Sequence, residues 1–135
     1  GKTIRLFNLA DGNLMNATGH GLMHSSWNKK EMSNGVKFIV EDRGLGKIVL
    51  KTADGRYVYI AGAGLSGDVR LTSDASQAEE FVWQDMLYSR CMLLSLKTQR
   101  YVGKHPTDGS PYSADFQGAD AGMKNGCVFS WEVVE

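Results

Sequence analysis

Two landmarks of different kinds recur at one interval in this chain. Asp11-Gly12 in LADGNLM returns as Asp54-Gly55 in TADGRYV, 43 residues on, and Phe38 in VKFIVED returns as Phe81 in EEFVWQD at the same interval. A shift shared by a turn and a strand marks a structural repeat, because a turn dipeptide alone recurs by chance. The same shift pairs Leu6 with Val49, Phe7 with Leu50, Leu14 with Tyr57 and Met15 with Val58, apolar on apolar. SLKTQRYVG, laid on LKTADGRYV, begins a third copy that places Tyr101 on Tyr57 at 44 and ends with Phe129 on Phe81 at 48. The four extra residues are expected in the loop around KHPTDGSPYSAD.

The apolar runs within each copy are short and alternate with polar residues, as in GKIVLKT, GRYVYIAG, DVRLTS and EEFVWQD. This period of two is the mark of half-buried strands. No amphipathic helical run occurs, apart from a turn expected at Asp74 to Glu80. Sixteen glycines against two prolines, spread along the chain, suit many tight turns. Three units of about four strands, roughly residues 2–45, 46–89 and 90–135, predict one all-β domain over 1–135. The architecture that fits is a β-trefoil: a six-stranded barrel closed at one end by three hairpins, so that sheet edges disappear. A propeller needs at least four blades, and the chain supplies three units.

The 135 residues, 42% of them hydrophobic, can bury a core of one domain. Fifteen basic side chains balance fifteen acidic ones, which argues against nucleic acid as partner and against adhesion to an anionic membrane. No apolar run approaches the roughly 20 residues that cross a bilayer, and GKTIRLFNLADG lacks the apolar core of a signal peptide. Cys91 and Cys127 have no metal-ligand spacing. Alternation places Cys127 inward with Phe129 and sets Cys91 out of phase with Met92 and Leu94, so two free thiols are expected.

Enzymatic signatures are missing. His20, His24 and His105 with two cysteines form no ligand set for a metal, and no G-x-S-x-G, P-loop or H-E-x-x-H pattern occurs. GAGLSGD does not lead into a helix and reads as a hairpin loop. The carboxylate pairs Glu41-Asp42 and Glu79-Glu80 are adjacent on strands and point to opposite faces. The expectation is a protein without catalysis, metal or cofactor.

IVLKTADGRYVYIAG, followed by AEEFVWQD, resembles the repeat of fascin-like domains, in which a hydrophobic strand leads into a G-[KR]-Y-[LV] turn and the unit closes on F-x-[VLW]. The resemblance runs through all three copies, with Gln99-Arg100-Tyr101 at the turn of the third and Asn13-Leu14 in the first. It implies a trefoil fold of the kind found in actin-bundling proteins and as accessory modules beside secreted polysaccharide-degrading enzymes. The Q-x-W signature of ricin-type trefoil lectins is replaced by Phe81 and Phe129 two residues before Trp83 and Trp131.

Val40, Trp83 and Trp131 share one repeat position and are expected to line the barrel; Tyr57 and Tyr101 match Leu14 and are expected in the core. Aromatics without apolar counterparts in the other copies are the candidates for binding. Trp27, in the polar setting HSSWNKKE with His24 and Glu31 nearby, and Tyr112 and Phe116 with Asp115, in SPYSADFQG, could stack on the C–H faces of sugars while the polar groups meet hydroxyls. The expected function is a carbohydrate-binding module, monomeric, within a larger extracellular or periplasmic protein that acts on poly- or oligosaccharide. The alternatives are a cytoplasmic fascin-like interaction domain and a spacer trefoil.

Overall fold

The computed structural model describes residues 1–10, 12–17, 23–26, 34–62, 67–104, 112–118, 121–122 and 125–134. In the first unit, β1 spans Thr3–Asn8, β2 Leu14–Ala17, β3 Met23–Ser26 and β4 Phe38–Gly44. The second holds β5 (Lys47–Thr52), β6 (Tyr57–Ala61), β7 (Asp68–Thr72) and β8 (Phe81–Asp85). The third holds β9 (Arg90–Ser95), β10 (Tyr101–Lys104), β11 (Tyr112–Phe116) and β12 (Phe129–Val133). The turn expected near Asp74 is a single 3₁₀ turn, Ala75–Gln77, capped by the Asp74 carboxylate. The fold is an all-β trefoil.

Antiparallel pairing runs β1–β4–β5–β8–β9–β12 and back to β1, which closes a six-stranded barrel. The hairpins β2–β3, β6–β7 and β10–β11 cap one end, each joined to the barrel through the strand before it. Each closing strand is shared between two units. Phe38 is paired with Ile4 and Thr52, Phe81 with Ile48 and Ser95, and Phe129 with Cys91 and Asn8. Alternation turns all three phenylalanines inward, and they are fully buried with Leu6, Leu50 and Leu93. Met15, Val58 and Val102 extend the same core under the hairpins.

The register corrects the repeat at several points. Leu6 corresponds to Leu50, not to Val49, because Asn8, Thr52 and Ser95 are the equivalent buried residues that open the three turns. Asn8 N–H donates to Asn13 O (2.8 Å), Thr52 N–H to Arg56 O (2.7 Å) and Ser95 N–H to Arg100 O (2.9 Å). The first and third turns are therefore one residue longer than the second, and a one-residue slip reverses every side chain of a strand. Cys91 is consequently inward, at the position of Ile4 and Ile48, and fully buried, contrary to the parity read from Met92 and Leu94. Tyr57 and Tyr101 are half-buried, unlike Leu14.

The four-residue insertion also lies elsewhere than expected. Phe81 follows Thr72 by nine residues, whereas Phe129 follows Phe116 by thirteen, so the extra length falls between β11 and β12. It brings Cys127 and Val128 onto Met92 as a small second core, joined by Leu9, Tyr101, Phe116 and Ala121. Gly103 is the contact point. A Cβ there would lie 2.6 Å from Cys127 Sγ and 2.6 Å from the Phe116 ring. Gly103→Ala is expected to destabilise the protein by about 1–3 kcal/mol through overpacking, read from the urea midpoint at unchanged m.

Both cysteines are free, as the sequence suggested. Burial pushes the Cys91 thiol up to about 12, with a smaller push from Asp85. Burial likewise pushes Cys127 up to about 12, against a bond from the Gly122 backbone. In the native protein neither thiol is expected to react with a disulfide reagent at pH 8, and both should react on unfolding, counted by released chromophore. A native pKa above the unfolded one favours folding below the ordinary value of 9.0. That contribution is lost as pH rises from about 9 towards 12.

Candidate functional site

The residues singled out in the sequence fall into three groups. Trp27 and Glu31 lie outside the described residues. His24 stands on β3 at the register position opposite Asn16. Tyr112, Asp115 and Phe116 share β11, yet they do not form one exposed surface. Tyr112 is wholly buried, its ring tilted 45° against Phe129 at 5.8 Å, and Asn8 Nδ2 donates to its hydroxyl at 3.2 Å. As a core residue it offers no face to a ligand, which corrects its assignment as a stacking platform. The reason is local: the pairing of β10 with β11 shifts by one residue between Tyr101 and Gly103, which turns Tyr112 inward where its counterpart on β7, Asp68, is exposed. Phe116 is half-buried against the second core, and the Asp115 carboxylate accepts from Ser113 Oγ at 2.9 Å.

A cleft of about 430 Å³ opens instead between the second and third units, lined by Tyr59, Gln77, Glu79 and Lys97 with Ile60, Ala61 and Gly62. Each side chain is placed by an element already described. Alternation along β6 buries Val58 and Ile60 and turns Tyr59 outward, across from Arg70. Gln77 closes the 3₁₀ turn, which Asp74 caps by accepting from Ser76 N–H at 3.0 Å and Ser76 Oγ at 2.7 Å. Those bonds hold the Asp74 carboxyl below its ordinary range. Glu79 is tied to β6 by its N–H on Val58 O (3.0 Å), and its carboxylate accepts from Ser95 Oγ and from Lys97 N–H (3.1 Å). Lys97 Nζ donates to Ile60 O at 2.9 Å.

The cleft thus has an anchored carboxylate, an anchored ammonium, an amide and one half-buried phenol ring. An ammonium has three donors and a carboxylate several acceptor sites, so each retains capacity for a ligand. Among the described residues no cluster of three His, Cys, Asp or Glu could hold a metal ion. In the sequence Tyr59 lies inside the strand pattern GRYVYIAG, and no motif there marks Gln77 or Lys97. They come from different repeats, and SLKTQR reads as a plain turn. The signal available was disagreement between copies, since Lys97 occupies a turn that carries ADG elsewhere.

A second concavity, of about 650 Å³, occupies the end of the barrel opposite the hairpins. Its walls are Ile4, Val40, Ile48, Trp83 and Trp131, with Lys2, Asp42 and Leu45 at the rim. The two indoles meet edge to face, 6.0 Å apart at 70°. Val40, Trp83 and Trp131 are equivalent, as expected, and each is anchored alike. Their N–H groups donate to Lys2 O (2.9 Å), Gly46 O (3.0 Å) and Ser89 O (2.9 Å). Beside this end, Leu87, Tyr88 and Ser89 have φ of 67°, 54° and 58° in succession. Left-handed backbone costs a non-glycine residue about 1–2 kcal/mol, so three in a row are held there by the surrounding bonds. Those bonds include Met86 N–H to Arg90 O (2.9 Å) and Leu87 N–H to the Asp85 carboxylate (3.1 Å).

No family model matches the chain, and no curated protein does. Among solved structures it is similar to the designed three-fold symmetric protein ThreeFoil, at a TM-score of 0.78 and 13% identity, over 98% of this chain and 99% of that one. At that identity the likeness speaks for the fold alone.

Proposed function

We propose that the protein is a non-catalytic carbohydrate-binding module that holds poly- or oligosaccharide in the cleft between its second and third units. The observation that carries this reading is the pairing of an outward Tyr59 ring with two tethered polar side chains, Glu79 and Lys97, beside the Gln77 amide. A pyranose has C–H faces that stack on an aromatic ring, and hydroxyls that need donors and acceptors already in place. Because Glu79 and Lys97 are tethered before a ligand arrives, little side-chain freedom is lost on binding. The likeness of IVLKTADGRYVYIAG to the fascin-like repeat supports an accessory module within a larger extracellular or periplasmic protein. With one ring, the site is weak by itself, and avidity from neighbouring modules or sites would compensate.

Titration of the protein with a panel of neutral and acidic plant, algal and animal oligosaccharides, followed by NMR shifts and calorimetry, tests the proposal. The expected result is dissociation constants in the range of about 10 µM to 1 mM. Tyr59→Ala should weaken binding at least about tenfold, and Lys97→Met should alter selectivity among the glycans. Silence across the panel rejects the function. Binding undiminished in Tyr59→Ala rejects the cleft, and Trp27→Ala then asks whether the first-unit loop carries the site.

A further inference from the structure

The described residues include six exposed large hydrophobics: Leu45, Met86, Leu87, Tyr88, Leu96 and Val133. All but Leu96 lie at the open end of the barrel. Leu45 (96% exposed) tips the β4–β5 turn, Tyr88 (89%) tips the β8–β9 turn, and Val133 pairs with Ile4 where β1 begins. Leu45 sits on the rim of the indole-walled concavity, and the others share its end of the barrel. Soluble monomers rarely gather apolar side chains in this way, and a patch so placed marks a surface that another molecule covers.

We propose that the occupant is a second copy of this chain, paired through a two-fold axis across the open barrel ends. The face carries both halves of such a contact. Tyr88 and Leu45 project as apolar tips, and the 650 Å³ hollow walled by Trp83 and Trp131 receives one. A two-fold interface requires this reciprocity, because each copy presents the same patch to the other. Charge points the same way. Around the face Glu132 is paired with Arg5 and Arg43 with Glu41 within the chain, and Lys2, Lys47 and Arg90 stand with Asp42 and Asp85, so each copy presents both signs of charge to the other and the neutral chains meet without strong repulsion. A strongly charged partner would find no complementary field here. The left-handed run Leu87-Tyr88-Ser89 fixes the projecting tip before contact, which lowers the entropy lost on docking.

Sedimentation equilibrium of the intact chain from about 5 µM to about 1 mM tests the pairing. The expected result is a reversible monomer–dimer equilibrium. Tyr88→Lys and Leu45→Lys should each raise its dissociation constant at least about tenfold. Leu96→Lys, on the turn at the far end of β9, should leave it unchanged, and all three should keep the parent's thermal midpoint within a few degrees. A chain monomeric at the highest concentration overturns the proposal. So does a dimer indifferent to both tip variants, or association that continues past the dimer. Binding of a hydrophobic dye such as 1-anilinonaphthalene-8-sulfonate to the face of a persistent monomer would assign it to a small apolar ligand instead, and overturn the pairing too.

Discussion

Phe129→Ala is expected to cost the fold about 3–5 kcal/mol, the largest effect of any single truncation in the barrel. The ring is fully buried and closes the strand shared by the first and third units, between Asn8 and Cys91. It also packs against Tyr112, so its loss opens space towards the third hairpin as well as along the barrel axis. Collapse into that space is resisted, because the neighbours are held by the closed ring of strands. The thermal midpoint should fall by more than about 10 °C. Phe38→Ala and Phe81→Ala, at the equivalent positions, should follow closely. A loss below about 1.5 kcal/mol in urea unfolding would contradict the central place given to Phe129.

Asn8→Ala is expected to lose about 2–4 kcal/mol, although the residue is polar and small. Its side chain joins three parts of the chain. Nδ2 donates to Gly126 O at 3.0 Å and to the Tyr112 hydroxyl at 3.2 Å, and Oδ1 accepts from Ala10 N–H at 2.8 Å. The last bond sets the first turn, and the other two fasten the inserted segment and the third hairpin to it. Thr52 and Ser95 hold the equivalent positions, so Asn8→Ser should keep much of the turn and lose the two distant bonds. A double-mutant cycle with Tyr112→Phe isolates one of these, with a coupling of about 0.5–1.5 kcal/mol expected. Additive losses would show that the Asn8–Tyr112 bond contributes nothing.

The repeat made the architecture legible because the inward phenylalanines recur whatever the turns between them do. Phe38, Phe81 and Phe129 reveal three units, and three units of four strands admit few closures. The register was less legible. Both ADG turns look alike, yet the first spans one residue more between Asn8 and Asn13 than the second between Thr52 and Arg56, and that residue inverts the apparent facing of β1. Cys91 misled for a related reason. Met92 is buried too, by the second core outside the barrel, so both parities of β9 read as interior.

The binding surfaces were legible only in part. Tyr112 stands out as an aromatic without apolar counterparts, and its position differs from the equivalent ones because the register shift of the third hairpin turns it into the core. The cleft at Tyr59 is assembled across a unit boundary, where no repeat alignment would look. Trp83 and Trp131 were rightly placed on the barrel lining, and the hollow they share becomes visible only when the strands close around it.

The pairing of β12 with β1 carries a consequence for how the molecule is made. Ile4 meets Val133, and Val134 N–H donates to Thr3 O at 2.8 Å, so the earliest strand is completed by the latest. On a ribosome, β1 emerges first and waits unzipped on one side while the rest of the domain is synthesised. Closing so long a loop also slows folding for a chain whose pairings are far apart in sequence. The barrel is therefore expected to shut only after Val133 has left the exit tunnel, which makes the nascent chain a client for chaperones until its final strand arrives.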